Sequence, residues 1–406
     1  MSTSNPSIIG GACIISSICV GAGMLALPTA GSGIWTLGTI IILLVTMIIM
    51  SLSGIMLLEA FKYYPYGSSF NTVTKSLLGN KINIINNISV YFVGGILIYA
   101  YISSAGLILS ELLGVSTTFA SLIFVLVFSS IVWHSTKAVD KISVLLITFM
   151  ILSFVISIIS LLVNIEPRIL FNLTNQDELY MPYGLALIPI ALTSFGYHHS
   201  VSTMRDYYKS EYKARKAIIL GTLIALALYS LWIVSIFGNI PRSSFSSLIN
   251  NDGNIDDMLR LISNSINSAS VSFTLEVFSI AAILSSFIGV GLGLFDYLAD
   301  LFKFKNTIKG RSKTWAVTFL PPLICSLIFP FGFIVAIGYA GAAATIWACI
   351  IPVLLVAKVR AIYPHKNGFS APKSKYYLFC VLFFGIITSL LHFSSMLNIL
   401  PIYGKI

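Results

Sequence analysis

The sequence predicts an all-α integral membrane protein of eleven transmembrane helices, with the first ten paired as two inverted five-helix repeats. Three observations carry this prediction. Apolar runs of membrane length recur from end to end, the cations fall almost wholly in alternate loops, and the first and sixth runs are each interrupted near their middle.

Of the 406 residues, 57% are hydrophobic and 9% are charged, whereas a soluble domain carries about 25% charged residues. Apolar segments lie at 7–30, 34–60, 82–112, 117–133, 142–163, 181–203, 217–239, 273–299, 314–330, 332–356 and 376–400. A helix needs ~20 residues to cross ~30 Å of hydrocarbon, so each segment is long enough or nearly so. The whole of 1–406 reads as one membrane domain, with 7–163 as the first repeat, 181–356 as the second and 376–400 as a helix outside both. The first segment has neither a basic leader nor a small-residue cleavage pattern ahead of it, so it is expected to remain as a spanning helix.

The net charge of +10 raises the possibility of a nucleic-acid partner. The basic residues, however, sit in short blocks between apolar runs and build no basic face, which argues against one. Of the 24 Lys and Arg, only Arg168, Arg242, Arg260 and Lys405 fall outside one set of alternate loops. By the positive-inside rule this puts the N-terminus in the cytoplasm and the C-terminus outside, with the lipid bilayer as the chain's solvent. The outward loops 164–180 and 240–272 hold Glu166, Asp177, Glu178, Asp252, Asp256 and Asp257, and the second is long enough for a surface helix. Cys13, Cys19, Cys325, Cys349 and Cys380 show no CxxC pair or metal spacing. They read as small apolar fillers, and no metal or cofactor is expected.

Segment one contains Gly21-Ala22-Gly23-Met24-Leu25 with Pro28 close behind, and segment six contains Thr193 to Ser200 after Pro182 and Pro189. Glycine loosens a helix and proline removes a donor, so both segments are expected to break near mid-membrane. A broken helix in lipid leaves backbone groups without partners, which is tolerable only beside a cavity or ligand. Breaks five segments apart, on chains running in opposite directions, fit an inverted repeat with a site at its midplane.

Three strings also resemble a known family: Val20 to Pro28, Leu192 to His198, and Gly291-Leu292-Gly293-Leu294-Phe295-Asp296-Tyr297-Leu298-Ala299-Asp300-Leu301-Phe302. Together with Thr318 to Pro322 and Gly338-Tyr339-Ala340-Gly341, they are similar to the bacterial aromatic amino acid permeases over nearly the whole chain, most of all to the tyrosine-specific proton symporters. The resemblance implies a LeuT-like 5+5 inverted repeat of the amino acid-polyamine-organocation superfamily, with helices 1 and 6 broken and helix 11 added. It also implies residence in the bacterial inner membrane and import of an aromatic amino acid with a proton. One departure is His199, where the family pattern has a small residue after His198.

An amino acid zwitterion needs donors for its carboxylate and acceptors for its ammonium, and half-helix ends supply both. The expected backbone contributors are Gly21, Ala22, Gly23 and Met24 at the first break, and Ser194, Phe195 and Gly196 at the second. An aromatic side chain needs an apolar pocket with ring contacts, for which Phe195, Tyr197, Tyr101 and Phe287 are candidates. Ionisable groups in a membrane are functional candidates because burying a charge is costly. His198, Asp296 and Glu59 are therefore expected in ion coupling or gating. Sodium remains an alternative to the proton, since carbonyls at the first break and the hydroxyls of Ser285 and Ser286 would make an oxygen-lined site. Serine or threonine is the alternative substrate.

A membrane enzyme would show clustered His, Asp or Glu on neighbouring helices. A channel would show a repeated pore motif. The sequence has neither, and with no nucleotide-binding motif an ion gradient is the expected energy source.

Overall fold

The computed structural model describes residues 7–134, 136–173, 179–251, 253–266, 269–329, 332–364 and 368–405, and every regular element among them is helical. Segment one is two helices, α1 (Ile8–Cys19) and α2 (Ala22–Gly31), followed by α3 (Trp35–Phe61) and α4 (Phe70–Leu113). Next come α5 (Thr117–His134), α6 (Thr136–Val163) and the single turn α7 (Pro167–Leu170). Segment six is a 3₁₀ turn (Met181–Leu187), α8 (Ile188–Ser194), a second 3₁₀ turn (His198–Ser200) and α9 (Val201–Tyr208). The chain continues through α10 (Glu211–Phe237), the short α11 (Phe245–Asn250) and α12 (Ile255–Ile266), and α13 (Ala269–Leu301). It ends with α14 (Ile308–Ile328), α15 (Phe333–Thr345), a π turn, α16 (Ile351–Ile362) and α17 (Lys375–Met396).

Eight of these helices are long and apolar enough to cross a membrane: α3, α4, α5, α6, α10, α13, α15 joined to α16, and α17. Counting α1 and α2 as one bent crossing makes nine among the described residues. α14 opens with Lys309, Arg311 and Lys313, which leaves 314–328 as its apolar stretch. Segment six is too interrupted to supply one long helix. Of the outward-loop acids, Asp177, Glu178 and Asp252 lie outside the described residues.

Serine or threonine caps the starts of α1, α4, α10, α14 and α17, where Ser7, Ser69, Ser210, Thr307 and Ser374 accept a hydrogen bond from the first turn. Such a cap satisfies one of the donors that a helix start leaves free. α4 bends at Gly79, whose φ of +84° admits glycine far more readily than other residues.

The core is formed by α6 along α13, α1 along α10, α4 between α5 and α15, and α2 against α8. Outside it, large apolar side chains such as Leu37, Ile41, Leu145, Ile156, Phe379 and Leu390 stand exposed on α3, α6 and α17. Water would not tolerate so extended an apolar face, and lipid would.

Candidate functional site

The two breaks face one cavity of about 580 Å³, within the ~300–1,000 Å³ typical of small-molecule sites. At the first, the chain bends by 58° between α1 and α2. Gly21, just before α2, has φ −158° and ψ −143° and no side chain caps the helix start. The first two N–H groups of α2, those of Ala22 and Gly23, therefore keep free donors next to the cavity, which Gly21 and Gly23 line, while the Met24 N–H donates to the Gly21 carbonyl.

The halves of segments one and six touch here. A Cβ on Gly23 would lie 2.7 Å from Cα of Ser194, so only glycine permits this crossing. Behind it stands Tyr229 of α10, fully buried, whose hydroxyl is 2.6 Å from the carbonyl oxygens of both Cys19 and Ser194. One phenol thus holds the C-terminal ends of α1 and α8 together. Nothing in the sequence separates Tyr229 from other aromatic residues in its segment, except that a polar tip at mid-membrane requires a partner.

Helical spacing decides which other residues reach the cavity. They include Val90, Gly94, Leu97 and Tyr101 on α4, and Ser286, Val290, Gly293, Tyr297 and Asp300 on α13, each set along one helix face. Ser285 also lines it, and a Cβ on Gly21 would sit 3.0 Å from Oγ of Ser286. From the second break come Thr193, Gly196 and His199, with the His199 ring 6.5 Å from that of Trp347, which closes this side.

Of the residues proposed from sequence, Gly21, Gly23, Gly196, Tyr101, Ser285 and Ser286 therefore meet around one space. Ala22 joins through its backbone, and its side chain lies outside the described residues. Six others stand behind the wall. The backbone groups expected of Met24, Ser194 and Phe195 have partners within the protein: the Met24 N–H donates to the Gly21 carbonyl, the Ser194 carbonyl accepts from Tyr229, and the Phe195 N–H donates to the Leu192 carbonyl, while the Phe195 ring packs edge-on against Tyr229. Tyr197 donates to the carbonyl of Met50 at 2.9 Å, and His198 stacks on Tyr197. Phe287 is wedged between Phe124 and Phe319, packing α13 against α5 and α14.

Two more lie elsewhere. Asp296 is exposed and off the lining, while Asp300, one turn further on, reaches the mouth. Glu59 is buried at the end of α3, accepting from Nε and Nη2 of Arg360 at 2.9 and 2.8 Å and from the backbone N–H of Ala371. This arrangement clamps α3 to α16 and the chain beyond it. Among the described residues no three His, Cys, Asp or Glu side chains converge as metal ligands would.

The cavity continues from the breaks to the end of the bundle that bears Asn71, Ser202 and Asp300, and no described residue of the 164–180 or 240–266 loops lines it. At the opposite end, buried Arg242 donates to the carbonyls of Ser32, Gly33 and Leu179 and lies between the rings of Tyr180 and Tyr403. Its cation complements the carbonyl end of α2 and ties that helix to the start of segment six.

The profile of the tryptophan/tyrosine permease family matches residues 4–392. Tryptophan-specific transport proteins of Pseudomonas aeruginosa (strain UCBPP-PA14) and Haemophilus influenzae are 44% and 43% identical to the chain. The alignments cover 98% and 94% of this chain and 97% and 94% of those proteins. A tyrosine permease of Enterobacter agglomerans is 36% identical over 98% of both chains.

Proposed function

This chain belongs to the tryptophan/tyrosine permease family, and from that premise we propose that it imports an aromatic amino acid across the bacterial inner membrane by proton symport. The single observation that carries the reading is the uncapped start of α2, which aims free N–H groups into a cavity flanked by Tyr101 and Trp347. The substrate carboxylate sits on that helix end, its ammonium on carbonyls at the end of α1, and its ring toward Tyr101, Trp347 and His199. The higher identity to tryptophan-specific relatives favours tryptophan over tyrosine, which the sequence motifs alone had placed first.

Access alternates. The conformation described opens toward the side bearing Asp300 and is shut on the Arg242 side, and by the distribution of cations the open side is the cytoplasm. Eleven crossings in a 5+5 inverted repeat account for the packing, because exchanging the repeats maps one contact onto another. The pairing of α6 with α13 corresponds to that of α15 with α4, α4 with α5 to α13 with α14, and α1 with α10 to α8 with α3. In this scheme segment six and α14 are the crossings that add to the nine.

His199 and Asp300 bring an imidazole and a carboxylate to the lining and are assigned to proton movement. Sodium coupling is the second reading, favoured by the placement of Ser285 and Ser286 beside Gly21. The test is radiolabelled tryptophan uptake into proteoliposomes under an inward proton gradient, under a sodium gradient, and with unlabelled tyrosine, phenylalanine or serine competing. Proton-driven accumulation blocked by aromatic competitors is expected. Accumulation driven by sodium alone selects the second reading, and blockade by serine alone overturns the aromatic assignment.

A further inference from the structure

Away from the breaks, a groove of about 500 Å³ runs along the seam between α3 and α10. We propose that it binds one anionic phospholipid of the cytoplasmic leaflet, with the phosphate between Arg215 and Lys373 and an acyl chain along the seam. The leaflet assignment rests on the orientation given above.

The floor and walls suit a hydrocarbon chain. Where α3 meets α10, Ser51 and Thr222 hydrogen-bond to each other at 2.9 Å, so neither presents an unmet polar group to the groove. The walls are Met47, Leu52, Ile55, Ile219 and Leu223. Ile48 and Leu223, each 45% exposed, leave the groove open sideways to lipid. From Arg215 to Leu223 the groove follows α10 through eight residue steps, or ~12 Å, close to the ~15 Å depth of one leaflet.

The mouth suits a net negative headgroup. Arg215 and Lys373 are exposed, line the groove and take part in no ion pair among the described residues. Among the described residues no Asp or Glu lines it, and Glu59 close by is occupied by Arg360 and the Ala371 N–H. A zwitterionic headgroup would bring its ammonium beside two cations with no carboxylate to receive it, whereas an anionic one meets only attraction. A lipid seated here braces two helices that hold the breaks, since α10 carries Tyr229 and α3 accepts the hydroxyl of Tyr197.

The test is native mass spectrometry of the full chain released from nanodiscs of equal phosphatidylglycerol and phosphatidylethanolamine. The wild type is expected to keep one phosphatidylglycerol in preference to phosphatidylethanolamine. Arg215→Gln combined with Lys373→Gln should weaken that retention about 25-fold, or about fivefold per cation. Leu223→Trp fills the seam without changing charge and should also abolish it, which separates a built groove from a merely basic surface. Lys303→Gln with Lys305→Gln, an equal loss of charge elsewhere, should leave it unchanged. Indiscriminate retention of both lipids by the wild type, or equal loss in the Lys303 and Lys305 variant, overturns the proposal.

Discussion

At the first break the chain turns through 58° over Val20, Gly21 and Ala22, and it offers the cavity backbone groups. At the second, Phe195, Gly196, Tyr197, His198 and His199 crowd into the gap between α8 and α9, and their side chains divide between two sides. Tyr197 and His198 face α3 and the core, while Gly196 and His199 face the cavity. The two breaks thus have different work. In the proposed function the first recognises what all amino acids share, the charged backbone end. The second presents side chains, and so has the means to distinguish one substrate from another.

The strongest way to break this comparison is at Gly23. Gly23→Val should abolish uptake while the chain still reaches the membrane fraction. Gly23→Ala should already reduce uptake about 100-fold, since a displacement of ~1 Å at a binding site can cost that much. Gly196→Ala should cost far less, because its Cβ would meet nothing closer than the Thr193 carbonyl at 3.0 Å. Equal losses at Gly23 and Gly196 would erase the distinction between the breaks.

Tyr229→Phe comes next. It leaves the buried carbonyls of Cys19 and Ser194 without their shared donor, at about 1–3 kcal/mol in thermal or denaturant unfolding, and uptake should fall about tenfold. Tyr197→Phe loses one bond on the far side of the break and should lower stability without changing the apparent affinity. The adjacent imidazoles then sharpen the comparison within the second break. His199→Ala should raise KM for tryptophan several-fold and flatten the pH dependence of uptake, whereas His198→Ala should leave the pH profile in place. The reverse pattern would move the functional imidazole behind the wall.

The smallest effect lies outside both breaks, on α12. Burial, and then the charge of Asp257, raise the pKa of Asp256 above its usual 3.8. A raised folded-state value means that ionisation costs stability, so the contribution of Asp256 is full at acid pH and lost as the pH rises through the folded value. Asp256→Asn should therefore melt on the order of 1 °C higher than wild type at pH 7, and the difference should close as the pH falls below the ordinary carboxyl range.

Segment limits were legible because a run of membrane length is a strong signal. The run 34–60 became Trp35–Phe61, 117–133 became Thr117–His134, and 376–400 became Lys375–Met396. Both breaks were legible from glycine and proline. Which face of each helix meets the cavity was not, because lipid and core are equally apolar and the usual contrast between a polar and an apolar stripe vanishes. Phe287 thus read as pocket lining but packs between Phe124 and Phe319. Glu59 read as a gate, yet its partner Arg360 lies 301 residues away along the chain. His198 and His199 are neighbours in sequence, and only the path of the chain through the break places the second one on the cavity.

The most direct test of the central claim, that the two breaks together form the substrate site, is the thermal shift of purified protein with added amino acids. Ligand bound only to the folded state raises the melting temperature in proportion to its occupancy. Tryptophan should stabilise the wild type and serine should not, while Gly23→Val, though folded, should show no shift with either. An equal shift by tryptophan in the wild type and in Gly23→Val would place the substrate elsewhere and contradict the account.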